Sequence, residues 1–290
     1  MGSASVIVMT HNRKEVLVKT IKGMLAQDFK GEFEIIVVND GSSDGTKETL
    51  EKEFGKDKKV IRINQDRSLP CKARNNGIRV AKNEIIVIMD DDCIPAKDWL
   101  SKMVFGFSEK NIGIVTSYNL FGGTSTAFKK TILDKVGGYD EEYGYYREDT
   151  DLVFRILEEG FKTKFVEADF VHEHEIEKPK GIIGLIKYGL ERASYHKNDV
   201  LLFKKHPDFG KDFLGVRLGF MVDPRIDFAA ATGTWNNGGK MSLSSPRGIT
   251  FLENKSFLHK ILIITGGISW IFVVKLYRFY GSIKFGKLLI

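Results

Sequence analysis

Glu84-Ile85-Ile86-Val87-Ile88-Met89-Asp90-Asp91-Asp92 is the stretch that decides how this chain folds. The unbroken apolar run after Glu84 reads as a strand buried on both faces. The strand then runs straight into three adjacent carboxylates, which repel one another. A divalent cation among them relieves that repulsion. Hard cations such as Mg²⁺ and Mn²⁺ prefer carboxylate oxygens and share them with substrate phosphates. In an open α/β sheet, ligands bind beyond the carboxyl ends of the strands. A cation there points to a phosphorylated or nucleotide substrate. The plainer alternative is a solvated acidic turn.

Outward from this strand, the chain up to position 120 alternates between two patterns. Strand-like runs fall at 5–9, 33–39, 60–63, 84–89 and 112–118. Helical patterns fill the gaps at 14–27, 46–54, 72–81 and 97–107. Such alternation predicts a doubly wound, mostly parallel, Rossmann-like α/β sheet with helices on both faces. Beyond position 120 the pattern is irregular. Gly122-Gly123-Thr124 opens a loop, 131–136 is a short helix, 148–159 a clear helix stopped by Gly160, and 162–171 one strand. The stretch 178–256 mixes helix and loop in no readable order. Within it, 229–246 is rich in Gly, Ser, Thr and Asn and predicts a long mobile loop. No internal repeat is visible.

The formal net charge of +6 over 290 residues is unevenly spread. From Lys178 onward there are 18 Lys/Arg and 7 Asp/Glu, and no acid follows Glu253. That tail holds an apolar run at 261–274, with Lys260, Lys275, Arg278, Lys284 and Lys287 around it. The run falls short of the roughly 20 residues needed to span a bilayer. With Trp270, Tyr277 and Tyr280 it reads as an in-plane anchor on an anionic membrane. A core helix with a charged outer face is the alternative. No basic–aromatic nucleic-acid motif occurs, so nucleic acid is not an expected partner. Cys71 and Cys93 are too few for a disulfide framework and lack metal-site spacing, which fits a reduced, cytoplasmic setting. No charged-then-apolar leader opens the sequence.

Polar groups cluster where the apolar strands end: Thr10-His11-Asn12-Arg13 after the first, Asn39-Asp40-Gly41-Ser42-Ser43-Asp44-Gly45 after the second, and the Asp triplet after the fourth. A doubly wound sheet brings these ends to one crevice. The first loop is not glycine-rich, which excludes a dinucleotide fingerprint and a P-loop. Side chains and a metal would hold the nucleotide instead. Asp40 is placed to accept from a base N–H, and Arg13 or Arg74 to reach ribose or phosphate. Farther on, Arg147-Glu148-Asp149-Thr150-Asp151 opens a helix, where the dipole keeps a carboxylate ionised and able to act as a general base. Plain helix capping is the alternative. His172 and His174 share one strand face, and either could ligate the metal or simply sit at the surface.

These residues together carry a resemblance. Thr10-x-Asn12-Arg13, Val37-Val38-Asn39-Asp40-Gly41-Ser42-Ser43-Asp44-Gly45-Thr46, Ala73-Arg74-Asn75-x-Gly77, Met89-Asp90-Asp91-Asp92, Val136-Gly137-Gly138-Tyr139-Asp140-Glu141, Glu148-Asp149-x-Asp151-Leu152 and Val171-x-His occur in this order. Over about positions 4–175 the chain resembles the family-2 inverting glycosyltransferases of GT-A fold. The resemblance implies a nucleotide-diphosphate sugar donor and a divalent cation, Mn²⁺ or Mg²⁺. It implies that Asp40 binds the base, that Arg74 contacts the nucleotide, and that Thr10, Asn12, Arg13, Asp90 and Asp91 line the donor site. Asp92 and His172 would ligate the metal, and Asp149 would be the catalytic base. Gly123, Thr124, Tyr139 and Glu148 would shape the acceptor side. Two departures stand out: Cys93 replaces an acid after the triplet, and Ser68-Leu69-Pro70-Cys71 replaces a glycine-rich loop. No Gln-x-x-Arg-Trp signature of processive synthases occurs, which favours addition of one sugar.

The expected organisation is a GT-A catalytic domain at 1–177, an acceptor-side extension at 178–256, and a basic, apolar, helical membrane-associating segment at 257–290. The expected activity is inverting transfer of a single sugar to a hydroxyl or phosphate acceptor, lipid-linked or saccharide. The expected location is peripheral, on the cytoplasmic face of the cell membrane. Two other classes remain: a nucleotidyltransferase that makes the sugar nucleotide, for which Thr10-His11-Asn12-Arg13 is a poor match, and a non-catalytic nucleotide-sugar-binding scaffold. The retention of Asp90, Asp92, Asp149 and His172 argues against the scaffold.

Overall fold

The computed structural model describes residues 2–173, 181–221, 235–237, 240–242 and 256–290. The chain divides into two compact units, Met1–Glu177 and Lys178–Ile290.

The first unit is built on a seven-stranded sheet of order β3-β2-β1-β4-β7-β6-β8. β1 (Ala4–Thr10) lies between β2 (Phe33–Asp40) and β4 (Ile85–Asp90), parallel to both. Val6, Ile7 and Val8 are all buried, as expected of a strand covered on both faces. β3 (Val60–Gln65) extends the parallel half. The connections are α1 (Lys14–Leu25), α2 (Thr46–Phe54) and α3 (Pro70–Val80). One face is sealed by α1, whose Leu17, Ile21 and Met24 join Val6, Val8, Ile35 and Val87 in the main core. The other is crossed by α3, which approaches closely because Gly77 has no side chain. A Cβ there would lie 2.6 Å from Ile7 Cγ2 and 3.3 Å from Val38 Cγ2.

After β4 come β5 (Cys93–Pro95), α4 (Trp99–Phe105), β6 (Ile112–Thr116), β7 (Thr126–Lys129), α5 (Lys130–Val136), α6 (Glu148–Glu158), β8 (Lys162–Phe165) and β9 (Phe170–His172). β7 escapes sequence reading because it is short, and it runs antiparallel to both β4 and β6. The sheet is therefore mixed but mostly parallel. The single strand expected at 162–171 is two. β8 pairs β6 in the main sheet, while β9 leaves it to pair β5, with Cys93 opposite His172. The helix expected at 97–107 starts at Trp99, whose buried indole N–H donates to Ser125 Oγ at 2.8 Å.

The second unit comprises α7 (Gly181–Ser194), α8 (Lys197–Lys205), α9 (Pro207–Leu214), the pair β10 (Val216–Arg217) and β11 (Phe220–Met221), the pair β12 (Trp235–Asn237) and β13 (Lys240–Ser242), and α10 (Phe257–Phe285). Most of the loop expected at 229–246 lies outside the described residues, and its described parts form the β12–β13 ladder. The tail corrects the sequence reading. The apolar run at 261–274 sits inside a 29-residue helix with a mean hydropathy of 1.9 over its most apolar stretch. By length and composition that helix is sufficient to cross a membrane. Flanking lysines do not end a helix. Its ends are set by Ser256, whose hydroxyl accepts from His259 N–H, and by Gly286 in the left-handed conformation at φ 65°.

Candidate active site

The strand register sets the site. Thr10 lies beside Asn39, and Met9 beside Asp90, so β1, β2 and β4 end at one level. The Asp triplet therefore emerges next to the loops after β1 and β2, at the sheet's carboxyl edge.

The three aspartates have different surroundings. Asp91 is turned into the protein, where Thr10 Oγ1 donates to its Oδ2 at 2.7 Å and Arg13 to its Oδ1 at 2.9 Å. Burial pushes its carboxyl up to about 7, against the pull of Arg13 and Thr10. Asp92 is 2% exposed, with Arg13 2.6 Å from its Oδ2 and His172 Nε2 3.6 Å from its Oδ1. Asp90 is the more open, and its backbone N–H donates to Thr124 Oγ1 at 3.0 Å. Even so, partial desolvation among its neighbours raises its carboxyl, opposed by Arg74. Burial disfavours the charge on Arg13, but Asp91 and Asp92 outweigh it and raise the guanidinium.

A cation fits here. Asp90, Asp92, Cys93 and His172 each offer one ligand atom, all within 4.8 Å of one another. The carboxylate oxygens suit a hard cation such as Mg²⁺ or Mn²⁺, and the imidazole nitrogen is the softer donor of the set. The pairing of β5 with β9 carries His172 to Asp92 from a distant part of the chain. Cys93 joins the cluster unforeseen. Its thiol is pushed up by burial first and by Asp90 next, so it is a protonated neighbour rather than an anion. His174, the other candidate, lies outside the described residues.

A second cluster faces the first. Arg74, on α3, is 7% exposed. Its guanidinium is 3.1 Å from Glu148, 3.6 Å from Asp149 and 3.9 Å from Asp90. It also lies over the Tyr139 ring at 5.2 Å. Burial pushes the Glu148 carboxyl up to about 7, Asp149 adds to this, and Arg74 opposes it. Glu148 and Asp149 open α6 behind two left-handed residues, Tyr146 (φ 71°) and Arg147 (φ 75°). Non-glycine residues there store strain, which the surrounding contacts must hold. Asp149 Oδ1 is buried with no hydrogen-bond donor among the described residues. Gly122 lets the loop approach, because a Cβ there would lie 2.9 Å from Asp149 Cβ. Gly123 borders the same carboxylate, its absent Cβ 3.9 Å from Oδ2. A carboxylate that lies beside Arg74, is 24% exposed and has one oxygen without a hydrogen bond among the described residues can accept a proton from a bound hydroxyl. Asp151 differs. It is fully buried and paired with Arg155 at 2.7 Å, a helix-stabilising i,i+4 contact.

Two residues expected in the donor site are engaged elsewhere. Asn12 Oδ1 accepts from Ser43 N–H at 2.7 Å and ties the β1 loop to the β2 loop. Asp40 is wholly buried, and its carboxylate accepts from Gln65 Nε2 (2.8 Å), Ser68 N–H (2.8 Å), Ser68 Oγ (2.9 Å) and Arg67 (3.1 Å). Three of these bonds fall on Oδ1 and only that from Arg67 on Oδ2, which leaves Oδ2 with acceptor capacity for a base N–H. No sequence signal marks Gln65, Arg67 and Ser68 as its partners.

Comparison with known proteins bears on this arrangement. The "Glycosyl transferase family 2" model matches residues 5–160. Glycosyltransferase AglE of Haloferax volcanii is 32% identical over 114 residues, 38% of this chain and 37% of that protein. The GalNAc(5)-diNAcBac-PP-undecaprenol beta-1,3-glucosyltransferase of Campylobacter jejuni is 41% identical over 146 residues, 49% of this chain and 42% of that protein. The chain thus spans well under two thirds of these relatives. Among solved structures, the mannosyltransferase PcManGT of Pyrobaculum calidifontis, in complex with GDP-Man and Mn²⁺, superposes with a TM-score of 0.59. It covers 97% of this chain and 86% of its own at 18% identity, a likeness of fold alone. The match to the family model covers more than half of the chain and every residue of the two clusters except His172. The chain has the GT-A fold and belongs to glycosyl transferase family 2.

Proposed function

We propose that the chain transfers a single sugar, with inversion, from a nucleotide-diphosphate donor to a lipid-linked acceptor at a membrane surface. The observation that carries this reading is the donor-free, buried Oδ1 of Asp149 beside Arg74 and across from the aspartate–histidine cluster. In the proposed step, an acceptor hydroxyl gives its proton to Asp149. The freed oxygen bonds the anomeric carbon from one face, while the bond to the diphosphate breaks on the other. Asp92 and His172, with Asp90, would hold a divalent cation, which supplies positive charge to the departing diphosphate when bound. Arg74 would keep Asp149 in place, and Tyr139, Gly123 and Thr124 would border the acceptor.

Support for the donor class comes from the fold shared with a protein complexed with GDP-Man and Mn²⁺. Support for a lipid-linked acceptor comes from the C. jejuni relative, whose name states a PP-undecaprenol substrate. The exposed apolar helix α10 favours a place at the membrane. Residues 178–256 would supply acceptor contacts and 257–290 the membrane contact. Purified protein with Mn²⁺ and a panel of sugar nucleotides tests this reading, with lipid phosphates and saccharides as acceptors. Nucleoside diphosphate release with an inverted anomer in the product, by mass spectrometry and NMR, is expected. Pyrophosphate release, a retained anomer or no turnover with any pair refutes it.

A further inference from the structure

On α10, Leu258, Ile268, Phe272, Leu276, Phe279 and Ile283 are between 47% and 69% exposed. A 3.6-residue period brings them to one side of the helix. The opposite side is packed. Val274, Arg278, Ser282 and Phe285 are buried, and Arg278 Nε bonds Asp199 Oδ2 on α8 at 3.0 Å. Gly281 lets α10 close on α8, since a Cβ there would lie 2.8 Å from the Lys197 carbonyl. The stripe therefore continues along the half of the helix that is anchored to protein. Helix α7 packs on the side of α10 away from the stripe, its Gly189 against Trp270.

Length permits α10 to cross a bilayer, but the path of the chain does not. Ile290 N–H donates to the Gly219 carbonyl at 3.1 Å, and Leu288 packs on Gly219. Residues 219 and 290 therefore lie together, at the carboxyl end of α10. If α10 spanned the membrane, its first residues would be on the far side, and 222–255 would have to cross as well. That segment carries Asp223, Arg225, Asp227, Lys240, Arg247, Glu253 and Lys255. Its longest uncharged stretch, 228–239, includes Asn236-Asn237-Gly238-Gly239 and is far too short. Crossing requires about 20 mostly apolar residues.

We infer that α10 is an in-plane membrane helix, with both ends on one side of an anionic bilayer and the Leu258–Ile283 stripe buried at the lipid interface. This inference rests on the membrane reading above and decides its topology. Charge selects the bilayer over a second copy of the chain. Helix α10 has no acid, and Lys260, Lys275 and Lys284 on it would repel their counterparts but attract anionic lipid.

The test uses the full chain in sealed membrane vesicles of both orientations, with Lys260→Cys and Lys284→Cys as separate variants. A membrane-impermeant maleimide reads the accessible face. The unmodified chain is the blank, because Cys71 and Cys93 are buried. Both variants should label in the same vesicle orientation and in that one only. Labelling from opposite faces overturns the in-plane assignment and leaves the membrane reading standing. A chain that stays soluble and fails to co-sediment with phosphatidylglycerol vesicles at low salt overturns both. Phe272→Glu with Leu276→Glu, its fold checked by circular dichroism, should reduce co-sedimentation at least tenfold. Undiminished binding by that variant also overturns the inference.

Discussion

Glu148→Gln should stabilise the protein above neutrality and flatten its pH dependence. Glu148 is 3% exposed and lies beside Asp149, and these two features push its carboxyl from 4.5 up to about 7. Between those values the native state holds a proton that the unfolded state has released. Stability then falls as pH rises through that window, because protons bind more tightly to the native form. Carrying one carboxyl over this interval corresponds to about 3 kcal/mol, present in full below pH 4.5 and lost by about pH 8. Glutamine keeps the shape and an acceptor for Arg74 but has no charge to bury. The assay is urea unfolding of wild type and variant at several pH values from 5 to 8, in chelator, so that no cation binds the aspartates. The raised carboxyls of Asp90 and Asp91 titrate in both proteins and cancel in the difference. The variant should gain on the wild type as pH rises, by about 1 M in urea midpoint at an m-value of about 2–3 kcal/mol/M. Parallel profiles would refute the reasoning, as would a variant that loses ground above pH 7. In either case Arg74 would outweigh burial.

Asp92→Asn should abolish Mn²⁺-dependent binding of a nucleoside diphosphate in calorimetry, and unchanged binding would remove Asp92 from the cation site. Asp149→Asn should lower turnover by about 10²–10⁴-fold, the range for a positioned base, with donor binding within a few fold of wild type. A variant that keeps more than about a tenth of the rate assigns the base to another group. Gly77→Ala should cost about 1–2 kcal/mol in chemical unfolding, since overpacking outweighs the gain in helix propensity. The new methyl meets Ile7 at 2.6 Å. An unchanged midpoint would show that α3 is free to move off the sheet.

Local physics makes half of this protein readable. A buried parallel strand has to be apolar along its whole length, so β1, β2 and β4 are visible as unbroken runs, and the helices between them follow from periodicity. The carboxylates at their ends are conspicuous for the same reason, because nothing else interrupts the apolar pattern. Thr10, Arg13, Arg74, Asp90, Asp92, Asp149 and His172 are thus legible as polar residues at strand and helix ends. Their partners are not. That Asp91 turns inward to Thr10 and Arg13, that Asp40 is held by Gln65, Arg67 and Ser68, and that Cys93 stands opposite His172 all depend on register between segments distant in sequence. Strand β7 is invisible to pattern reading because so short a segment carries too little period. In the tail, hydropathy marks an apolar core at 261–274, but the helix ends belong to Ser256 and Gly286. Composition by itself allows that helix either to span or to lie flat. The hydrogen bond from Ile290 to Gly219 carries the in-plane proposal, because only contacts between segments far apart in sequence show which parts of the chain must lie together.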